Sequence, residues 1–558
     1  MHKTNVLLVI LCSLQVFAQN SFDTKISKTQ KLLNSVETGK HIFRQDIKLV
    51  SDGLLVYTFH QEDLKGKGKE ITYRFSLSDI DQNTVRSITN KDLIKVQLLV
   101  AGKQKLIQVI SDGGDKITYT NELSFYAKNS NNGNDIEQSI KALIPEAVAL
   151  EEKRLSLNSY DDHLKWLSEN ITDVELSSKQ VVQKLEIDSK YKGHLSFNQS
   201  TNVKSKSISK AYEFNLATLN PNALEYKISG DELIISIATR RGIKSIKYIE
   251  NGVQKSYTDA VKIYAKSIIN GKDLAKVLKA IIPLAEKTFN NHKPTITSAS
   301  EMISFLNKNI SEITTSEETL AQSLTLSKNV TTYKLVETHP DKTIDCEYQF
   351  NFADINANNI DYGTSKDRLF VILPVKKSVK FIRNYKDNEI QNYINSTKLY
   401  FNTIEDAIIA KKVLQDLVKL FEEKVNAQSY KFSSIDSSIS DIKKHLSKVI
   451  IGEDTYDVFL ELTDSATNTL KLTTVFSNLK KSKETILEFS PKDINIKNIG
   501  IVVSGKRVWT ELNTKHLEKI IKMYVDGEIK PYTYKAIIEV KGIESARTIV
   551  DIFKNIKQ

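Results

Sequence analysis

Between Val182 and Tyr264 apolar and polar residues alternate in seven short stretches: Val182–Ile187, His194–Gln199, Ala211–Leu216, Ala223–Ile228, Leu233–Thr239, Lys244–Glu250 and Ala260–Tyr264. Polar or Gly/Asn-rich turns bound each stretch, a pattern that predicts antiparallel strands. Leu233 to Ile237 is apolar on nearly both faces, as a covered sheet requires. Tyr212 and Phe214 alternate with Glu213, so that strand has one wet face. A helical period flanks the alternation on both sides. Leu164, Leu167 and Ile171 predict a helix over Tyr160–Ile171, and Leu274, Val277, Leu278, Ile281 and Ile282 predict an amphipathic closing helix. The closing stripe returns as Ile404, Ile408, Leu414, Leu417, Val418 and Phe421, and again as Ile543, Ala546, Ile549, Val550, Phe553 and Ile556.

The whole pattern recurs. Phe75, Phe214, Phe350 and Phe489, spaced by 139, 136 and 139 residues, each precede Asp or Thr, Ile or Leu, and Asp or Asn at the fourth to sixth positions on. A period of that size means four small domains in series. Their expected bounds are 19–155, 156–293, 294–428 and 429–558, after a signal peptide at 1–18. Leu167 of the leading helix recurs as Leu306 and Leu446, while the first unit matches this helix poorly.

Seven strands and a C-terminal helix in each unit give an order that resembles the pleckstrin-homology-like superfold. The resemblance implies an α+β chain of four tandem antiparallel β-roll or barrel units. Each has a C-terminal amphipathic helix, and most carry an added N-terminal helix. That superfold hosts lipid, peptide and protein binding as well as purely structural roles.

The leader reads as Met1-His2-Lys3, an apolar run from Val6 to Val16, and a cut after Ala18. The expectation is an exported protein, periplasmic or extracellular, with no transmembrane span. Cys12 leaves with the leader, so Cys346 stands alone and no intramolecular disulfide forms. Beside Tyr348 and Phe350 it reads as a small buried hydrophobe. The formal net charge is +11. That permits an envelope or extracellular protein, or an acidic polymer, as partner, and nucleic acid is not expected.

Chemistry is sparse. The nine histidines are scattered, no HExxH, GxSxG or Walker pattern occurs, and metal-ligand spacing is absent, so no catalytic residue, metal or cofactor is expected. Asp161-Asp162-His163 reads as acidic residues at a helix start. The turns beginning Asp79-Ile80-Asp81, Thr218-Leu219-Asn220, Asp354-Ile355-Asn356 and Asp493-Ile494-Asn495 place oxygens alternately but lack a calcium loop's Gly and Glu. An Asx turn around a buried Ile or Leu accounts for them.

One polar feature recurs. Lys105, Lys244, Lys380 and Lys519 each stand thirty residues past the marker Phe, with Ile two residues on. The preceding turns carry Lys103, Arg240 with Arg241, Lys376 with Lys377, and Lys515 with His516. The binding candidates are therefore Lys105, Arg240, Arg241, Lys244, Lys376, Lys377, Lys380, Lys515 and Lys519. They are either a row of cationic sites acting by avidity or solvated turns that block edge pairing. The sequence supports an exported non-enzymatic binding or scaffolding protein of the cell envelope. The alternative is a carrier of lipid or another apolar ligand inside the rolls.

Overall fold

The computed structural model describes residues 22–556 apart from 52, 115, 189, 205 and 311. The signal peptide expected at 1–18 lies outside the described residues. In the first repeat helix α1 (22–32) precedes nine strands: β1 (Val36–Glu37), β2 (His41–Ser51), β3 (Leu54–Asp63), β4 (Gly68–Ser76), β5 (Arg86–Asn90), β6 (Leu93–Leu99), β7 (Ile107–Ser111), β8 (Lys116–Thr120) and β9 (Glu122–Ala127). Helix α2 (Ser130–Arg154) closes the repeat. One sheet runs β1-β2-β3-β4-β7-β8 and a second runs β5-β6-β9. The chain thus leaves the larger sheet after β4, returns for β7 and β8, and finishes in the smaller one.

Alternation decides which side of each strand is covered. Leu55 and Tyr57 of β3, Val96 and Leu98 of β6, and Phe125 of β9 are fully buried in one core with Ile136 and Ile140 of α2. Burying a side chain of that size contributes about 1.5–3 kcal/mol. The other three repeats build the same six-stranded and three-stranded sheets, each followed by a helix. The chain is therefore α+β, with four tandem antiparallel units and a C-terminal helix in each.

All seven stretches of the second repeat are strands, and two further strands accompany them, Val174–Glu175 and Val253–Thr258. The first is too short to show a period and the second is mostly polar. Leading helices occur in all four repeats, at 22–32, Tyr160–Asn170, Ala299–Ile310 and Ile435–Lys443. The first, expected to match poorly, buries Phe22, Ile26, Thr29 and Leu33 at helical spacing. In the fourth repeat the helix ends before Leu446, and Ile442 takes the buried place of Leu167 and Leu306. Counting from the caps Ser159, Ser298 and Ser434 restores the match. Each leading helix of the last three repeats packs on the closing helix of its own repeat.

A buried glutamine ties the two sheets together in three repeats. Gln45 of β2 donates to the carbonyls of Asn34 (3.2 Å) and Tyr126 (2.9 Å) and accepts from the Tyr126 amide (2.7 Å). Gln183 and Gln322 repeat this on Tyr264 and Tyr400. A side-chain amide thus takes the place of a neighbouring strand beside β9 and pairs both backbone groups of Tyr126. The fourth repeat has Val458 at this position and an Arg507–Glu539 ion pair nearby.

The repeats assort into two compact units, one holding the first repeat and the second apart from Gln254–Tyr257, the other holding that segment with the third and fourth repeats. None of the helices among the described residues is long and apolar enough to cross a membrane.

Candidate functional site: the basic turns and the cleft between the third and fourth repeats

The isoleucines after the recurrent lysines, Ile107, Ile246, Ile382 and Ile521, are all fully buried. They anchor the strands that return to the larger sheets. Lys105, Lys244, Lys380 and Lys519, two residues earlier, are exposed, as are Arg241, Lys377 and Lys515. Arg240 and Lys376 are tied to acids of their closing helices. Arg240 donates to both carboxylate oxygens of Glu286 (3.0 and 2.7 Å) and to the Leu219 carbonyl (3.2 Å). Lys376 donates to the Ala353 carbonyl (2.6 Å) and pairs with Glu422. Glu286 and Glu422 hold the same position in their closing helices, so these cations latch turn to helix. In the first repeat Ala101 and Val148 take the two positions and the latch is absent. The residue after Arg240, Lys376 and Lys515 is left-handed, with φ of 57° at Arg241, 53° at Lys377 and 55° at His516.

The turns after the marker Phe are Asx turns in all four repeats. Asp81, Asn220, Asn356 and Asn495 each accept from the amide two residues on, at 3.0–3.2 Å. The Ile or Leu before each is buried. Asp161 and Asp162 open a helix whose capping box joins Ser159 and Asp162. The Cys346 thiol is half-buried, and burial raises its pKa.

Asp79 and Asp354 have a second role. In the first unit Asp79 pairs with Lys272 of the second repeat's closing helix, and Lys272 also reaches Glu151 at the end of α2 (2.5 and 2.6 Å). Arg154 pairs with Asp273 beside them. In the second unit Arg547 donates to both oxygens of Asp354 (2.7 and 2.6 Å). Both contacts span 193 residues. Burial raises the carboxyl pKa of Asp79 and of Asp354 above the usual range, against the pull of Lys272 and Arg547 respectively. A tyrosine repeats the arrangement. Tyr119 of the first repeat packs on the second repeat's core, and its counterpart Tyr393 is 2% exposed within the core of the fourth repeat. The Tyr393 amide also donates to the Gly505 carbonyl (3.0 Å).

Beside the Arg547–Asp354 latch between the third and fourth repeats lies a cleft of about 220 Å³, whose walls include Gln349, Arg383 and Tyr393 of the third repeat and Lys541, Glu544 and Ser545 of the fourth. The fourth closing helix (Ile543–Asn555) begins at this cleft, and its N-cap, Gly542, supplies no side-chain bond. The other three closing helices are capped by Asn129, Ser267 and Thr403. Its first amides therefore add positive potential to the cleft. Arg383 lies over the Tyr385 ring (5.1 Å to its centre), and its buried Nε lacks a hydrogen-bond partner. Burial pushes the Tyr393 hydroxyl up to about 12 and raises the Glu544 carboxyl, whose Arg547 neighbour opposes the rise. Donors and two acids thus line one half-open cavity, a set suited to a polar or extended polypeptide segment.

Sequence reasoning placed the basic turns but missed the latches and the cleft. Asp79 and Asp354 read only as turn residues, and nothing in the local pattern singled out Lys272 or Arg547. The missed signal was their shared offset of 275 residues between the two halves. No protein-family model and no curated protein matches the chain.

Proposed function

We propose that this is an exported, non-enzymatic binding or scaffolding protein of the cell envelope, made of two latched repeat pairs. A polar segment of its partner docks in the cleft between the third and fourth repeats. The exposed basic turns add weak contacts to an acidic surface. The observation that carries this reading is the cleft itself, held by the Asp354–Arg547 pair and open to Lys541 and an uncapped helix start. The filled repeat interiors favour it over an apolar-ligand carrier, because their inward side chains leave little exposed surface.

The test is purification of the mature protein from its own envelope after mild in-cell crosslinking, followed by native mass spectrometry. A stoichiometric partner that is lost in Lys541→Glu is the expected result. A bare protein, or one carrying only lipid, overturns the reading.

A further inference from the structure

In the third repeat Glu318 stands just before the strand Thr319–Ser327, and His339 just after its neighbour Val330–Thr338. Thr319 and Thr338 are paired, so Glu318 and His339 meet at the end of that ladder. Glu337, two residues before His339, projects to the same side. The His339 Nε2 lies 3.3 Å from Glu318 Oε2 and 3.8 Å from a Glu337 carboxylate oxygen. One ligand atom from each residue falls within 4.8 Å of the other two.

We propose that Glu318, Glu337 and His339 bind a divalent transition-metal ion of the zinc class. Bonds of about 2.0–2.2 Å in a tetrahedron place ligand atoms roughly 3.3–3.5 Å apart, and small side-chain movements bring these three to that spacing. Imidazole with two carboxylates suits zinc better than calcium or magnesium, which take oxygen ligands. The fourth position is left to water or to a ligand.

The strongest support is Glu318. Its side chain is 2% exposed, yet Oε2 has no hydrogen-bond partner while Arg368 holds the other oxygen. A buried carboxylate oxygen facing an imidazole nitrogen without a bond to it is costly unless something else satisfies it. Arg368 also stands 3.7 Å from Glu337 and over the Tyr400 ring. With two carboxylates and one guanidinium, the cluster keeps one net negative charge for an incoming cation. Arg368 then orients Glu318 from outside the ligand sphere.

The second repeat supplies the control within the same chain. There Lys179 takes the place of Glu318 and pairs with Glu232, the counterpart of Arg368, at 2.5 Å. That reversed ion pair is complete without further groups, and Thr201 and Val203 occupy the positions of Glu337 and His339. The third repeat therefore carries an acid and a histidine that an ion pair alone does not need.

The test uses the full mature chain with any purification tag removed. Zinc is titrated by calorimetry, and cobalt by its visible absorption. One equivalent of zinc and a tetrahedral cobalt spectrum are expected, with affinity falling about tenfold or more in His339→Ala. The partly exposed His339→Asn serves as a second variant, and circular dichroism checks both folds. Zinc is also expected to raise the melting temperature of the parent but not of either variant. Absence of zinc binding, or binding unchanged in both variants, overturns the proposal.

Discussion

The two repeat pairs are joined at the same place by different chemistry. In the first unit an ammonium, Lys272, bridges two acids from the first repeat, and Arg154 adds a second pair from the end of a long helix. In the second unit one guanidinium, Arg547, forks onto Asp354. Ser267 caps the first of these closing helices, whereas Gly542 leaves the other open beside the cleft. A joint that relies on the Arg547–Asp354 pair and the Tyr393 packing, beside an uncapped helix, leaves room at its edge. The first unit has put further charge and a cap in the same region. The contrast separates what a pair needs for cohesion from what it can give up to make a binding cleft.

The largest effect expected from breaking this contrast is at the latch cations. Arg547→Ala leaves Asp354 buried and unpaired and should cost about 3–5 kcal/mol, read as an earlier calorimetric transition of the second unit. Lys272→Ala should do the same to the first. Replacing Arg547 and Asp354 together by Met and Leu should restore most of the loss, because an apolar pair carries no desolvation penalty. Tyr393→Ala follows at about 3–5 kcal/mol, by the cost of truncating a large core ring. Tyr119→Ala should cost less, since Tyr119 is only half-buried.

The caps are smaller. Ser267→Ala should destabilise by about 1 kcal/mol, while Gly542→Ser should gain only a few tenths. A Cβ at Gly542 meets nothing within 4 Å, so the gain is not offset by a clash. The smallest effect depends on pH. Burial holds the Glu544 carboxyl above its ordinary value, so the folded state keeps this proton more tightly than the unfolded chain does. Its ionisation therefore costs stability as pH rises through the folded value. Glu544→Gln should be favoured over the parent at neutral pH, and that advantage should fade below about pH 4, where both states are protonated. Denaturant midpoints at several pH values check the sign.

Much of the fold was legible because it is written in periods. The marker Phe residues set the repeat by their long period, and the alternating strands and closing stripes each fix an element by short-range spacing. What escaped was written otherwise. Val36–Glu37 is too short for a period, and Lys116–Thr120 shows little burial. Gln45, Gln183 and Gln322 looked like ordinary polar strand residues, although each is buried and bonded to the last strand of its repeat. Leu446 matched by count but not by helical phase. Of the candidate site, the basic turns were visible, but the neutralisation of Arg240 and Lys376 by acids 46 residues on was not. The cleft and the Glu318–Glu337–His339 cluster join residues far apart in sequence, which local spacing does not reveal.

The account rests on the repeats acting in latched pairs. Hydrogen–deuterium exchange on the full-length Arg547→Ala protein tests this most directly. Protection should fall around residues 351–360 and 543–556 while residues 22–292 exchange as in the parent. Unchanged exchange in those two segments, or a loss spread evenly over all four repeats, would contradict it.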